Sequence, residues 1–205
     1  LSLAYLDEEG QIYNPDFNRW TGRANVNLYP KKWFKMGLNV AASMQESNGI
    51  TTGTTTIANP LYFARVIAPI FPIYAHDENG EFILDGEGNK IFDEGAGRPQ
   101  LAGRHVIYEN QLDKRTTKRN TISAQSYADI KSLKDFTFTL KADVSLRESR
   151  YRSYSNAVIG DGKGNNGRAS REQYDYMNYT FQQLLNYNHE FGDHTLEILA
   201  GHENY

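Results

Sequence analysis

Between residues 135 and 147, apolar and polar positions alternate without a break. Phe136, Phe138, Leu140, Ala142, Val144 and Leu146 form one set, and Thr137, Thr139, Lys141, Asp143, Ser145 and Arg147 form the other. A period of two predicts an extended strand with one apolar and one polar face. The run is about twice the usual strand of roughly 5–6 residues. It matches the about 9–11 residues with which a tilted strand crosses a bilayer.

The same pattern recurs along the chain. Over residues 17–29, Trp20, Gly22, Ala24, Val26 and Leu28 oppose Arg19, Thr21, Arg23, Asn25 and Asn27. Over 33–45, Phe34, Met36, Leu38, Val40, Ala42 and Met44 oppose Lys35, Asn39, Ser43 and Gln45. Pro30-Lys31-Lys32 reads as the turn between them, since proline cannot continue a ladder. Residues 119–131 alternate less cleanly, with Ser126 and Tyr127 off the pattern. Residues 177–187 alternate with Gln183 and Leu184 off it, 195–205 form a last strand, and 1–6 read as the end of a first. Short turns at Pro30, Lys134 and Gly192 take turns with long connections over 7–16, 46–118 and 150–171. Short turns at one end and long loops at the other are the layout of outer-membrane barrels. Tyr29, Trp33, Phe34, Phe136, Tyr187 and Phe191 sit beside the short turns, where a periplasm-side aromatic girdle belongs. The connection 46–118 far exceeds an ordinary loop and must carry its own structure. It opens on a Gly/Thr/Ser-rich piece, 47–56. Asn59-Pro60 then predicts a helical turn over 61–67, and a small hairpin is predicted around Glu81-Phe82-Ile83-Leu84. The predicted fold class is all-β: an antiparallel up-and-down transmembrane β-barrel segment, about seven strands of a larger barrel, with long extracellular loops.

Composition narrows the function classes. The chain has 205 residues and a mean hydropathy of −0.66, with no apolar run long enough for a spanning helix. A barrel survives that test, because alternation dilutes its hydrophobicity. Fourteen tyrosines and 13% aromatics favour strands and membrane interfaces. A net charge of −3 gives no basic stripe for nucleic acid. Absence of cysteine rules out disulfides and a thiol nucleophile.

Motifs that suggest chemistry fail on context. Gly162-Lys163-Gly164-Asn165-Asn166-Gly167 has the G-x-G-x-x-G spacing but no buried strand before it and no helix after it, so it reads as a flexible loop. Asp77, Asn79, Asp85, Glu87, Asn89, Asp93 and Glu94 suggest calcium. The EF-hand register fails, however, because Phe82 and Gly88 fall where Gly and Glu are required. Two hairpin turns account for these residues better. No H-E-x-x-H or G-x-S-x-G appears, so no enzyme, metal or cofactor is assigned. The Asn178-Tyr179-Thr180 sequon lies in a predicted membrane strand and does not read as a glycosylation site. Arg19, Arg23, Asn25, Lys141, Asp143 and Arg147 fall on the polar faces and are expected to line a lumen, chiefly as wall.

Several stretches resemble the SusC/RagA family of TonB-dependent outer-membrane transporters. They are Phe17-Asn18-Arg19-Trp20-Thr21-Gly22-Arg23-Ala24-Asn25-Val26-Asn27 followed by Pro30-Lys31-Lys32-Trp33; Asn59-Pro60-Leu61-Tyr62-Phe63-Ala64-Arg65 with Ala68-Pro69-Ile70-Phe71-Pro72; Ala102-Gly103-Arg104-His105; Ile159-Gly160-Asp161-Gly162; and Phe181-Gln182-Gln183-Leu184-Leu185-Asn186-Tyr187 with Gly201-His202-Glu203-Asn204-Tyr205. The likeness runs in order over the whole chain. It implies a 22-stranded barrel with an N-terminal plug in the outer membrane of Gram-negative, Bacteroidetes-type bacteria. It also implies import of glycans or peptides driven through TonB, ExbB and ExbD, with a SusD-like surface lipoprotein as lid. No signal peptide, TonB box or plug is read in these residues, so residues 1–205 are expected to be an internal part of the barrel domain, with loops 7–16, 46–118 and 150–171 outward. In that setting Tyr62, Phe63, Tyr74, Tyr151 and Tyr154 are candidates for contact with substrate or lid. The rival expectation is a secreted β-sandwich carbohydrate-binding module, which would bury the 136–146 row against the 34–44 row.

Overall fold

The structure is a computed structural model that describes residues 1–50 and 57–205. Seven strands form one antiparallel sheet in chain order: β1 (Ser2–Glu9), β2 (Asp16–Lys31), β3 (Phe34–Asn48), β4 (Lys114–Ser132), β5 (Phe136–Ser155), β6 (Arg168–Phe191) and β7 (His194–Asn204). Neighbours in sequence are neighbours in space throughout, which is an up-and-down arrangement with right-angled ladders and no crossover. The sheet is open within this chain.

Register explains the alternation. One cross-strand row runs Ala42–Ile122–Leu146–Met177, and another runs Ala24–Val40–Ala124–Val144–Tyr179. Apolar positions of every strand therefore share one face, and polar positions share the other. On β5 the apolar row spans ten residue steps, about 33 Å of strand, or about 25 Å of height at a barrel tilt of about 35–45°. None of the described residues covers this face. Trp20 is 50% exposed and Met177 67% exposed. Among the described residues the buried hydrophobic side chains are Ala58, Phe63 and Ile159, and all three lie in the loops. The rows 34–44 and 136–146 lie side by side on one face, with β4 between them, and so cannot pack against each other. A β-sandwich built on those two rows is thereby excluded.

The off-pattern residues have a packing reason. Tyr127 sits on the polar face directly opposite Gly37, and its hydroxyl donates to Asn27 Oδ1 at 2.9 Å. A Cβ on Gly37 would fall 2.2 Å from Tyr127 Cε1. Leu184 repeats the device against Gly201, whose added Cβ would meet Leu184 Cδ2 at 2.7 Å. Each large side chain lies over the bare backbone of a facing glycine, a pairing that pins register. We expect Gly37→Ala to cost about 1–3 kcal/mol through overpacking. Unfolding of the parent protein in detergent would measure this, and adding Tyr127→Ala should recover most of the loss.

Strand ends differ from expectation. Pro30 lies within β2, the turn is Lys32-Trp33, and the ladder shifts register between Leu28 and Lys31. The loops contract from 7–16, 46–118 and 150–171 to 10–15, 49–113 and 156–167, because the strands continue past the apolar band. There both faces are polar, so alternation carries no signal. The 162–167 stretch lies in the loop between β5 and β6, where Gly160–Asn165 forms a 3₁₀ turn. A Cβ on Gly162 would sit 2.2 Å from the Asn156 carbonyl oxygen, so that glycine is required for close backbone approach. The Gly/Thr/Ser-rich piece 47–56 lies mostly outside the described residues.

The long loop carries two short helices. Helix α1 (Pro60–Val66) was predicted: Asn59 Oδ1 accepts the Leu61 N–H at 2.9 Å and Pro60 opens the first turn. Helix α2 (Val106–Leu112) was not. The predicted hairpin is present as a small meander, with bridges Tyr74–Phe92, His76–Phe82 and Leu84–Lys90.

Candidate functional site

Two surfaces carry the chemistry: the polar face of the sheet and the outer loops at its end. On the polar face, Asn25, Asn39, Gln125, Asp143 and Thr180 form one row across five strands. A neighbouring row runs Asn27–Gly37–Tyr127–Lys141–Gln182. Arg19, Arg23 and Asn25 on β2 share this face with Lys141, Asp143 and Arg147 on β5. Arg23 and Asn25 border a shallow hollow with Asn39 and Gln125, and Lys141 and Asp143 border the adjoining one with Tyr127 and Gln182. The Arg147 guanidinium lies 4.6 Å above the Tyr176 ring centroid, and that of Arg19 lies 5.9 Å from Phe17. Amides, hydroxyls and charges of both signs make a wall that hydrogen-bonds water or a polar solute. No cluster of three or more metal-ligating side chains occurs among the described residues.

The outer loops are built around two of the stretches that carry the family resemblance. Arg104 Nε donates to Glu109 Oε1 at 2.9 Å, and its Nη2 lies 2.8 Å from Oε2, an ion-pair approach rather than an aligned hydrogen bond. Arg104 Nη1 reaches Asp161 on the 3₁₀ turn. Arg104 thus ties loop 49–113 to loop 156–167. Glu109 is 4% exposed and also accepts the His105 N–H at 3.0 Å. Burial pushes the Glu109 carboxyl above the usual carboxylate range, against the opposing pull of Arg104. Gly160 must be glycine here, with φ +81° and Glu109 Oε2 2.3 Å from any added Cβ.

Other locks surround this one. Asp113 Oδ1 accepts the Asn156 backbone N–H at 2.8 Å and its side-chain amide at 2.7 Å. Asn156 Oδ1 accepts from Val158 and Ile159 N–H, both at 2.8 Å. Arg98 donates to Asp93 Oδ2 at 2.6 Å and stands 5.0 Å above the Phe71 ring. Phe92 packs among Tyr74, His105 and Tyr108 at centroid distances of 5.2, 5.0 and 4.7 Å. The acidic turns hold themselves: Asp77 Oδ1 accepts from Asn79 and Glu81 N–H, and Asp85 Oδ1 accepts from Glu87 and Asn89 N–H. Those backbone donors lower both carboxyl pKa values.

His105 caps α2. Its Nδ1 accepts the Tyr108 N–H at 3.1 Å, so the ring is neutral with its proton on Nε2, which donates to the Ile73 carbonyl at 3.0 Å. Burial lowers its pKa from the ordinary 6.5. The unfolded loop therefore binds this proton more readily than the folded one, and the cap's stability is present above pH 6.5 and lost as pH falls below it. Amide exchange at Tyr108 should accelerate between pH 7 and pH 5. Substituting His105→Asn, which caps without titrating in that range, should flatten this dependence.

The candidate contact residues divide. Phe63 is buried inside the loop at 5% exposure, and Tyr62 is half-buried beside it. Tyr74 stacks on Phe92 with Lys90 Nζ 5.4 Å from its ring. Tyr151 and Tyr154 lie on β5 rather than in a loop. Tyr151 is on the polar face, edge-on to Tyr174 at 5.9 Å, and Tyr154 points from the opposite face, 42% exposed. Arg104, Glu109, Asp161, His105 and Asn156 were not singled out individually from sequence. The signal for Arg104, His105 and Asp161 was that Ala102–His105 and Ile159–Gly162 are family-like stretches, and Glu109 and Asn156 lie in neither.

In sequence, the chain is 26% identical over 206 residues to TonB-dependent receptor P3 of Formosa agariphila, and 22% identical over 204 residues to TonB-dependent receptor P39 of the same organism, each over 98% of this chain. The resemblance to TonB-dependent receptors is borne out in sequence, and the fold is that of the RagAB structures. In fold, the chain superposes on the RagAB peptide transporter with a TM-score of 0.61, at 17% identity over 92% of the chain and 20% of that structure. It superposes on the RagAB peptide importer in its closed-closed and open-open states with a TM-score of 0.65, at 18% identity over 98% of the chain. The chain covers 19% and 17% of the two Formosa receptors, so it spans about a fifth of the length of the curated relatives it matches. No family model matches it.

Proposed function

We propose that residues 1–205 form part of the barrel domain of an outer-membrane, TonB-dependent transporter that imports glycans or peptides. The observation that carries this reading is the sheet itself. It has an apolar face about 25 Å tall that no described residue covers, a predominantly polar opposite face, and the described helices and long loops at one end. The apolar face meets outer-membrane lipid. The polar face, with Arg19, Arg23, Asn25, Lys141, Asp143 and Arg147, lines the lumen. Loops 10–15, 49–113 and 156–167 face outward, toward a SusD-like surface lipoprotein that closes over the substrate. Energy reaches the parent barrel from TonB, ExbB and ExbD. The relatives are named as receptors, transporters or importers, which supports a transport role rather than catalysis.

The parent open reading frame provides the test. Its product should fractionate with the outer membrane, and its deletion should abolish TonB-dependent uptake of one class among labelled oligosaccharide and peptide pools. A product that is soluble without detergent, or uptake unchanged by its deletion, would overturn the reading.

A further inference from the structure

On β4–β6 the apolar face ends at the row Ile122–Leu146–Met177, while Tyr5, Trp20 and Met44 carry it one row further on β1–β3, and β4, β5 and β6 run on beyond it. Four successive rows on that same face read Asn120–Glu148–Asp175, Lys118–Arg150–Gln173, Thr116–Arg152–Arg171 and Lys114–Tyr154–Ala169. Lys118 stands directly opposite Arg150, and Arg152 directly opposite Arg171. Like charges placed so destabilise a sheet unless something neutralises them. Lys118 has Glu46 at 2.9 Å, and Arg150 has Glu148. Arg152 and Arg171 have no ion-pair partner among the described residues, and both are exposed. The same level on β1 and β2 carries Asp7, Glu9 and Asp16 instead, so the cationic patch is confined to β4–β6.

We infer that Lys118, Arg150, Arg152 and Arg171 form a binding surface for phosphate-bearing headgroups of the outer-leaflet lipid that contacts the apolar face. This inference rests on the membrane placement proposed above. Lys118 and Arg150 lie four residues beyond the last apolar row of β5, about 13 Å along the strand or about 10 Å in height at barrel tilt, and Arg152 and Arg171 lie six residues beyond it, about 20 Å along the strand or about 15 Å in height, within reach of a downward-leaning arginine. Headgroup layers are about 5–8 Å thick on each side of the hydrocarbon, and long cationic side chains lean along a surface to reach them. Arginine forks match phosphate oxygens two at a time. Two unpaired arginines side by side, continuous with a lipid-contacting face, suit a phosphomonoester better than an acidic protein surface, which would have to approach over the membrane rim.

The test uses the intact parent protein in neutral detergent and the variant Lys118→Gln/Arg150→Gln/Arg152→Gln/Arg171→Gln. Heat-modifiable gel migration verifies that both barrels are folded. Each is titrated with mixed micelles of phosphatidic acid and phosphatidylcholine, and retained lipid is counted by native mass spectrometry. Wild type should retain phosphatidic acid about tenfold or more over the variant, with phosphatidylcholine retention equal between them. Inorganic phosphate at the same concentration should not displace the lipid; if it does, the surface takes free phosphate and the lipid assignment fails. Equal phosphatidic acid retention by the two proteins overturns the inference, including the case in which the patch serves an acidic protein partner. A parent that needs no detergent and shows no heat-modifiable band refutes the membrane placement instead, so the two failures are separable.

Discussion

Replacing Arg104 with alanine should unlock the outer loops, at a cost of about 3–5 kcal/mol to their local stability. The reason lies in what the substitution leaves behind. Glu109 is 4% exposed, and its two carboxylate oxygens face Arg104. Removing the guanidinium leaves a buried carboxylate whose remaining donor is the His105 N–H. It also cuts the tie to Asp161, so two loops from different strand pairs lose a shared anchor. Adding Glu109→Gln to the variant should restore part of the loss, because a neutral amide carries a much smaller desolvation penalty. Hydrogen exchange along α2 and at Ile159 would report the change, while the barrel's heat-modifiable migration should stay as in wild type. Exchange as slow in the single variant as in wild type would show that the ion pair does not hold the loops.

Legibility in the sequence followed the physics of each region. Seven strands, their order and the sorting of short turns from long loops were readable, because an apolar face beside a polar one leaves a period of two. The pattern stopped where the apolar band stopped. Beyond it polar residues fall on both faces of β5 and β6, so six residues of β5 (150–155) and four of β6 (168–171) were assigned to a loop. Tyr127 and Leu184 broke the pattern because glycine partners one strand away made room for them, and cross-strand register is invisible before the pairing is known. Helix α1 announced itself through Asn59-Pro60. Helix α2 did not, since its cap is a histidine, an uncommon capping residue, and its seven residues are too few for a helical period to emerge. Arg104 and Asp161 lie 57 positions apart, and only the closing of β4 onto β5 brings them together. The polar row could be assigned to a face but not to a neighbour. That Asn25 and Asp143 belong to one continuous row followed only once β3 and β4 were placed between them.

Placing arginine at Leu140 should impair assembly of the parent barrel, whereas arginine at Thr139 should be tolerated. Leu140 lies in the middle of the apolar row of β5, flanked across the strands by Ala128 and Gln183. At the midplane of a bilayer a lipid-facing arginine costs about 2–4 kcal/mol, falling toward zero near the interfaces. Gln183 offers an amide but no counter-charge, so the cost stands. Thr139 faces the other way, where its hydroxyl donates to Asp129 Oδ1 at 2.8 Å. An arginine there would lose that bond and gain Asp129 as an ion-pair partner directly across the ladder. The two positions are adjacent in sequence and share the same backbone, so strand propensity and depth cancel from the comparison and the face alone is tested. The readout is the yield of heat-modifiable, membrane-inserted parent protein. Arg-scanning outward along the same row, through Val144 to Glu148, should show the penalty fading with height. Equal yields for the arginine variants of Leu140 and Thr139 would mean that the apolar face does not meet lipid, and the wall assignment would fall with it.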